Sequence, residues 1–303
     1  MKALLDSWEK YLQDPEGNSN AVLNSSSEGW FGQNGLGRLE EKLEGLSFDQ
    51  TYYTPNPQAE NRGYKTWDEF FVREFKNDQI RPVDFPDNDT LIHSACESTV
   101  YRISYNVQPH DQFWLKGQKY SLYNMLNRDD EMVKYFAGGT VYQAFLSPLD
   151  YHRWHSPIDG VIEKIIKLDG TYYAVLPDEG APIDDPDLPP SSPYGAMVRS
   201  QAFLTIVATR VLIYIRSKIG LVCFIGLGMV EVSTCDVTVI EGQKVKIGDQ
   251  LGMFHFGGST HALIFGPDCN VAFSTDAAVN KHVWVKSIIG QVVPNKKKAI
   301  GSN

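Results

Sequence analysis

Short apolar runs, rich in β-branched and aromatic residues and separated by Gly, Pro and Asp, fill the chain from about residue 90 onward. They include residues 99–107, 139–146, 161–168 and 171–176, and they are densest between 203 and 293. Runs of this length and composition predict β-strands. The last two thirds of the chain should therefore form a β-rich core of barrel-sandwich type, interrupted by one helix near residues 121–128.

In the first part of the chain, the apolar residues recur at a different spacing. Apolar residues at helical spacing predict a helix over residues 1–14, which Pro15 and Gly17 end. Further helices are predicted near 36–46 and 66–75, the second with Thr66 and Glu69 as a capping box. Prolines within residues 81–86 then break helix. We predict an α+β fold, with a helical N-terminal region (1–86) and a β-rich domain (87–303).

Composition limits the classes of function. The chain has 303 residues, a net charge of −9 and an apolar fraction of 42%, which is typical of a globular protein. The negative charge disfavours nucleic acid and anionic membranes as partners. Neither a signal peptide nor an apolar run of about 18 residues is visible, so we expect a soluble cytoplasmic protein. The four cysteines are far apart and predict free thiols without a metal site.

Two glycines precede a serine and a threonine at residues 257–260, between the apolar runs 251–256 and 262–265. Glycine leaves the carbonyl of Gly258 sterically open beside the hydroxyl of Ser259. This arrangement suits attack by the serine on its own preceding peptide bond. The same four residues also read as a β-turn with a serine at the bend, so both interpretations stay open here.

Polar residues that can carry chemistry occur in two further stretches. His152 and His155 lie three residues apart beside Asp150, between Pro148 and Pro157. A histidine pair can bind a metal, but no matching ligand set is visible, so we favour acid–base chemistry. Glu97 begins a predicted strand, where alone it reads as a surface carboxylate. Residues 177–195 hold six prolines and five acids and predict a surface loop, either a lid or a connector.

Together these stretches resemble the phosphatidylserine decarboxylase family of self-processing, pyruvoyl-dependent enzymes. The resemblance runs from about Tyr64 to the end of the chain. It rests on four motifs in order, at residues 67–75 with Arg81 and Pro82, at 116–122, at 150–155 and at 256–260.

The resemblance implies that Ser259 attacks the Gly258 carbonyl, that the ester eliminates, and that hydrolysis leaves a pyruvoyl group at position 259. Chains 1–258 and 259–303 would then stay associated. His155 would be the base that activates Ser259, Glu97 would orient that base, and His152 would serve the decarboxylation. Gly257 and Thr260 would support the turn or the oxyanion. The pyruvoyl group would be the cofactor, and no metal would be needed.

The sequence departs from the phospholipid enzymes in two places. Residues 95–98 read Ala-Cys-Glu-Ser where those enzymes have Pro-x-Asp-Gly, so the carboxylate of Glu97 is one methylene longer. Residues 208–210 replace an Asn-Glu-Arg element. Residues 95–98, 151–155, 233–235 and 252–259 are similar to the soluble tryptophan decarboxylases of the same family. This likeness implies a free aromatic amino acid, such as tryptophan, as the substrate.

Two alternatives and one question remain at this point. The first alternative is phosphatidylserine as the substrate. The second, of another class, is a non-catalytic, carrier-like binding module, because fold alone does not dictate activity. The question is whether the chain forms a homo-oligomer, which the sequence leaves open.

Overall fold

The computed structural model describes residues 2–110, 121–171, 200–228 and 234–294. Several features of the sequence lie outside these ranges: residues 116–120 of the second motif, most of the predicted strand 171–176, the acidic loop 177–195 and Ser233.

Short helices form the N-terminal region: α1 (Lys2–Gln13), a 3-10 turn (Ser19–Val22), α2 (Gln33–Glu40), α3 (Phe48–Thr51) and α4 (Trp67–Phe71). Helix α1 confirms the helix predicted over residues 1–14. Helix α2 begins before the predicted 36–46 and ends at Glu40, and the turn that follows it contains Glu44 and Gly45 at positive φ angles of 53° and 87°. Aromatic rings fill the centre of this region, among them Phe31, Phe48, Tyr52, Tyr64 and Phe70.

Helix α4 ends four residues before the predicted boundary at residue 75, and a tertiary contact explains why. The N-cap half of the predicted capping box forms, with the Glu69 amide donating to the Thr66 hydroxyl at 3.0 Å, but the Glu69 carboxylate accepts from the Lys65 amide instead of the Thr66 amide. Beyond Phe71, the chain turns so that the buried guanidinium of Arg73 can donate to the carbonyls of Leu149 and Asp150, at 2.7 and 3.0 Å. Arg73 therefore ties the helical region to the chain that carries His152.

The described residues from 91 onward contain fourteen strands, three α-helices and a 3-10 turn (Thr275–Ala277). The strands are β1 (Leu91–His93), β2 (Ser98–Tyr105), β3 (Thr140–Leu146), β4 (Arg153–His155), β5 (Gly160–Leu168), β6 (Arg210–Ser217), β7 (Gly220–Gly228), β8 (Thr234–Val237), β9 (Lys244–Val245), β10 (Gln250–His255), β11 (Ser259–Phe265), β12 (Val271–Phe273), β13 (His282–Val283) and β14 (Ile288–Val292). The helices are α5 (Leu122–Met125), α6 (Asp130–Phe136) and α7 (Gln201–Val207). None of the helices in the described ranges has the length and apolarity that crossing a membrane requires.

Eight strands form the main antiparallel sheet, in the order β13-β2-β3-β11-β7-β6-β5-β9. Strand β11 lies inside this sheet and pairs over seven residues with β3 on one side and with β7 on the other. Two three-stranded sheets, β4-β10-β8 and β1-β14-β12, complete the core. The chain thus passes from β10 in a small sheet directly into β11 in the main sheet.

Apolar side chains cover both faces of the main sheet. One face packs against the two small sheets, through residues such as Trp154, Phe254 and Ile289. The other face packs against helices α5 and α6, through residues such as Met125 and Phe136. This architecture confirms the α+β prediction of a β-rich core preceded by a small helical region. The division at residue 86 stays a prediction.

Candidate active site

Ser259 begins β11 at a sharp bend. Phe256 and Gly257 both adopt left-handed conformations, with φ angles of 58° and 79°, and only glycine takes this conformation without a steric cost. The bend turns the chain from β10 into the main sheet, where Ser259 pairs with Leu146 of β3 and Gly228 of β7. The Ser259 hydroxyl is buried and has no hydrogen-bond partner among the described residues. A buried hydroxyl without a partner is available for chemistry.

His152 is held close to this bend. Its Nε2 donates to the Ser147 carbonyl at 3.0 Å, and its own carbonyl accepts from the Phe254 amide at 2.9 Å. Ser147 directly follows Leu146, the register partner of Ser259. Because Nε2 carries the proton, Nδ1 carries a lone pair, and it has no partner among the described residues. Burial lowers the pKa of His152 to about 3, helped by the nearby charge of Arg73, so the ring is neutral.

Asp150 fixes the loop that presents His152. Its Oδ2 accepts from the Ser147 amide at 2.7 Å, and its Oδ1 accepts from Lys42 at 2.6 Å and from His282 at 3.3 Å. Burial by itself would raise the pKa of Asp150, but the bonds from His282 and Lys42 hold the pKa below its ordinary value. Asp150 and His152 therefore bind the amide and the carbonyl of the same residue, Ser147.

His155, the predicted base, lies on the neighbouring strand β4, and both of its ring nitrogens have partners. Nδ1 donates to the Gly248 carbonyl at 2.7 Å, so Nε2 accepts from the Tyr151 hydroxyl at 3.1 Å. Burial lowers the pKa of His155 to about 3. In register, His155 pairs with Gln250 at the start of β10, whereas the bend at Ser259 follows the end of β10. No described contact joins His155 to Ser259.

Glu97 precedes β2 and is buried. Its Oε1 accepts from the Nε of Arg81 at 2.7 Å, and Arg81 also lies over the ring of Trp284, with 4.2 Å between its Cζ and the ring centroid. Burial raises the pKa of Glu97, although Arg81 counteracts this. Among the described residues, the partner of Glu97 is Arg81 rather than His155.

Gly257 and Thr260 have separate roles in this geometry. Gly257 supplies the left-handed bend. The Thr260 hydroxyl donates to the Ala144 carbonyl at 2.9 Å and accepts from the Gln143 amide at 3.2 Å. Because side chains alternate along a strand, Thr260 faces the opposite side of the sheet from Ser259. Thr260 thus anchors β11 to β3, and its assignment to the oxyanion stays a prediction.

A row of rings connects His152 to the interior of the main sheet. His152 stacks on Phe71 at 4.0 Å between centroids and lies 6.4 Å from Phe254. The row continues to Trp154, to Phe224 and to His261, with centroid distances of 4.9, 5.2 and 6.0 Å. His261 lies two residues beyond Ser259 on β11, and therefore on the same face. The row of rings thus has an imidazole at each end, His152 and His261.

Comparison with known proteins identifies the family. A profile described as phosphatidylserine decarboxylase matches residues 67–291, and a second profile of the same description matches residues 1–39. The chain belongs to the phosphatidylserine decarboxylase family.

Named relatives of this family differ in what their names say they act on. The chain is similar to decarboxylase iboD of Amanita muscaria, with 50% identity over 96% of this chain and 83% of that protein. It is 39% identical to the L-tryptophan decarboxylase of Psilocybe cubensis, over 88% of this chain and 62% of that protein. It is 33% identical to phosphatidylserine decarboxylase proenzyme 3 of Schizosaccharomyces pombe, over 77% of this chain and 23% of that protein. The chain is an enzyme of the decarboxylase class, a carboxy-lyase.

Sequence reasoning missed three residues of this candidate site. Arg73 and Asp150 lie within the motifs at residues 67–75 and 150–155. Their hydrogen-bond partners are far away in sequence, so the spacing of the motifs does not indicate their roles. His261 had a detectable signal, since a histidine within an otherwise apolar strand two residues after the serine must share its face. The roles predicted for Ser259, His155, His152 and Glu97 stay predictions.

Proposed function

We propose that this chain cuts itself between Gly258 and Ser259, and then acts as a pyruvoyl-dependent decarboxylase of a free aromatic amino acid. One observation carries the proposal. The Ser259 hydroxyl is fully buried and lacks a partner among the described residues. Ser259 itself begins a strand immediately after a left-handed bend. An unsatisfied buried hydroxyl costs about 1–3 kcal/mol, a cost that self-cleavage would explain.

Cleavage consumes one water and releases one ammonia. The Ser259 oxygen attacks the Gly258 carbonyl carbon, and the C–N bond breaks to give an ester. Elimination releases the Gly258 carboxylate, and hydrolysis of the resulting enamine leaves the carbonyl at position 259. The first step needs a base for the hydroxyl proton. His155 would serve after its Nε2 exchanges the Tyr151 hydroxyl for Ser259; His152 is the alternative, because it binds Ser147 beside the partner of Ser259.

The residues around position 259 fit a carbonyl group there. Gly228 and Leu146 flank Ser259 in register, and neither carries a charged or polar side chain that would compete for a small carbonyl. Such a group would draw in the electrons released when carbon dioxide leaves. His152 would handle the proton at the substrate α-carbon, since its neutral ring has a free Nδ1.

A free amino acid suits this chain better than a phospholipid. The relatives with the higher identities are decarboxylase iboD and the L-tryptophan decarboxylases, at 50%, 39% and 38%, against 33% for the phosphatidylserine decarboxylase of Schizosaccharomyces pombe. The net charge of −9 would repel an anionic bilayer surface. The row of rings between His152 and His261 offers stacking surfaces for an aromatic side chain.

Intact mass spectrometry tests the cleavage. The wild-type protein should give a fragment that ends at Gly258, and a second that is lighter than a serine-initiated chain by one ammonia. Ser259→Ala should stay full length and folded, whereas Ser217→Ala, at a distant turn, should be cut as the wild type is. Cleavage of Ser259→Ala at this bond would refute the proposal.

Product analysis tests the substrate. Without added pyridoxal phosphate or metal, the cut protein should convert tryptophan, tyrosine or phenylalanine to the amine and carbon dioxide, and borohydride or phenylhydrazine should abolish this activity. Turnover of phosphatidylserine in mixed micelles, with no turnover of free amino acids, would replace this substrate and leave the cleavage mechanism intact. An uncut, inactive wild-type protein would favour a binding module.

A further inference from the structure

Three fully buried side chains, two on one face of the main sheet and one on the small sheet packed against that face, carry polar atoms without a hydrogen-bond partner in the described part of the chain. They are the Tyr142 hydroxyl, the Trp154 Nε1 and both ring nitrogens of His261. We call them the polar ring cluster. Each residue has 0% of its surface exposed, so solvent does not satisfy these atoms.

The three residues are neighbours. The rings of Tyr142 and His261 lie 6.0 Å apart between centroids. Phe224 joins His261 to Trp154, at 6.0 and 5.2 Å. His261 pairs with Ala144 on one side and Gly226 on the other, so small residues flank its imidazole in the sheet.

Gly226 explains how Trp154 reaches this face. A Cβ atom added at Gly226 would lie 3.3 Å from the Trp154 ring and 3.3 Å from the Phe254 ring. Because glycine has no side chain, both rings can lie directly against the sheet beside His261. The sequence thus combines a glycine, a buried indole and a buried imidazole at one place.

The cluster is adjacent to the proposed reacting position. Ser259 and His261 lie two residues apart on the same face of β11, which corresponds to about 7 Å along the strand. A substrate bonded through its amine at position 259 could therefore extend its side chain to the cluster. His152 lies at the opposite end of the same row of rings.

The free-energy cost of burying polar atoms without hydrogen-bond partners argues against a purely structural role for the cluster. Each unsatisfied buried polar group costs about 1–3 kcal/mol, and native proteins contain few of them. Burial lowers the pKa of His261 to about 3, so its neutral ring offers one donor and one acceptor. A ligand that hydrogen-bonds to these atoms would recover the cost.

We propose that the polar ring cluster receives the side chain of the substrate and selects a ring that carries a hydrogen-bonding heteroatom over a plain hydrocarbon ring. Tyr142 and His261 can donate and accept, whereas Trp154 only donates. The cluster therefore suits a ring oxygen best and also accommodates an indole N–H. This inference rests on the proposed function, because it assigns the substrate side chain to a place next to Ser259.

Paired substrates test the selection in the mature enzyme. The kcat/KM ratios to measure are tyrosine over phenylalanine and tryptophan over 1-naphthylalanine. Tyr142→Phe and His261→Leu should each lower these ratios by about tenfold or more, through loss of the heteroatom-bearing substrate. Tyr214→Phe is the matched control, because Tyr214 also has a buried hydroxyl but lies on the opposite face of the sheet. Ratios that stay at the wild-type value in both variants would overturn the proposal.

Fragment binding tests the cluster without any turnover. The full-length chain, cut or uncut, should bind phenol more tightly than toluene, and Tyr142→Phe should reduce this preference about tenfold, whereas Tyr214→Phe should not. His261→Leu should also raise the midpoint of thermal unfolding, since it removes unsatisfied polar atoms. A lower midpoint together with an unchanged preference would show that His261 has a structural partner and would refute the assignment. Intact mass on the same samples separates this failure from a failure of cleavage.

Discussion

The imidazole of His152 donates from Nε2 to the carbonyl of Ser147 at 3.0 Å. A carbonyl can only accept, so this single bond fixes the tautomer and leaves the lone pair on Nδ1. The Ser147 amide donates in turn to Asp150. The residue next to the partner of Ser259 is thus held from both sides, and the free nitrogen of His152 is defined before any substrate binds.

Replacing His152 with glutamine should separate its two nitrogens. A glutamine amide can mimic the Nε2 donor to Ser147, but it lacks the base at Nδ1. We expect His152→Gln to be cut normally and to form amine about 10²–10⁴ times more slowly. His152→Asn, which cannot reach Ser147 in the same way, is the comparison. Mass spectrometry and amine assays on both variants check this, and loss of cleavage in His152→Gln would make His152 the base for Ser259.

Tyr151 controls the availability of His155. If His155 activates Ser259, its Nε2 must first lose the Tyr151 hydroxyl, which lies 3.1 Å away. Tyr151→Phe should therefore speed chain cleavage, by about fivefold for a bond of about 1 kcal/mol, while His155→Ala should block it. The time course of fragment formation after synthesis measures both. Cleavage of His155→Ala at the wild-type rate would remove His155 from this role.

The buried Arg81–Glu97 pair allows stability and cleavage to be examined separately. Glu97→Gln leaves the Arg81 charge buried without its partner, and we expect the free energy of unfolding to fall by about 3 kcal/mol. The double variant Arg81→Met with Glu97→Gln should recover most of this loss. Glu163→Gln, which breaks the exposed pair with Arg216, is the control and should cost at most about 1 kcal/mol. If Glu97 also orients His155, cleavage should stay slow in the stable double variant.

Lowering the pH should already reduce the free energy of unfolding at pH values above the ordinary range of carboxyl pKa values. Burial lowers the pKa values of His152, His155 and His261 to about 3, against 6.5 in the unfolded chain. Between these values the unfolded state binds more protons, so stability is lost as the pH falls from about 6.5 toward 3. Each histidine contributes up to about 1.4 kcal/mol per pH unit. Glu97 acts in the opposite direction, because its pKa is raised.

Urea unfolding between pH 7 and pH 4 measures this slope. His261→Leu should reduce the slope by removing the contribution of His261. An unchanged slope in that variant would mean that His261 is protonated in the fold.

Local chemistry explains which parts of the fold were predictable. The spacing in residues 1–14 predicted α1, and the apolar runs 251–256 and 262–265 bounded the bend before Ser259. Helix α6 was missed although Asp129 caps it through the Met132 amide and Val133 and Phe136 share one face. The predicted end of α4 was wrong because Arg73 leaves the helix to bind the carbonyls of Leu149 and Asp150, which no local pattern encodes.

Motifs pointed to candidate members of the site but not to their connections. The motifs named Ser259, the two histidines and Glu97, whose roles stay predictions. Which histidine nitrogen is free, which cation faces Glu97, and which face of β11 His261 shares all depend on contacts between residues far apart in sequence. Lys42 and His282 converge on Asp150 from opposite ends of the chain, and only the folded structure brings them together.

Strand β11 has neighbours on both sides along its whole length. A cut before Ser259 would turn this interior strand into the first segment of a separate polypeptide. Once thermally or chemically separated, the two polypeptides could recombine only in a bimolecular step, so dilution would trap them apart. The cleavage would already have converted Ser259 into the pyruvoyl group, so a separated chain 1–258 could not make a new carbonyl. The lifetime of the active enzyme would then depend on the rate at which β11 dissociates from the sheet, and not on an equilibrium free energy of unfolding.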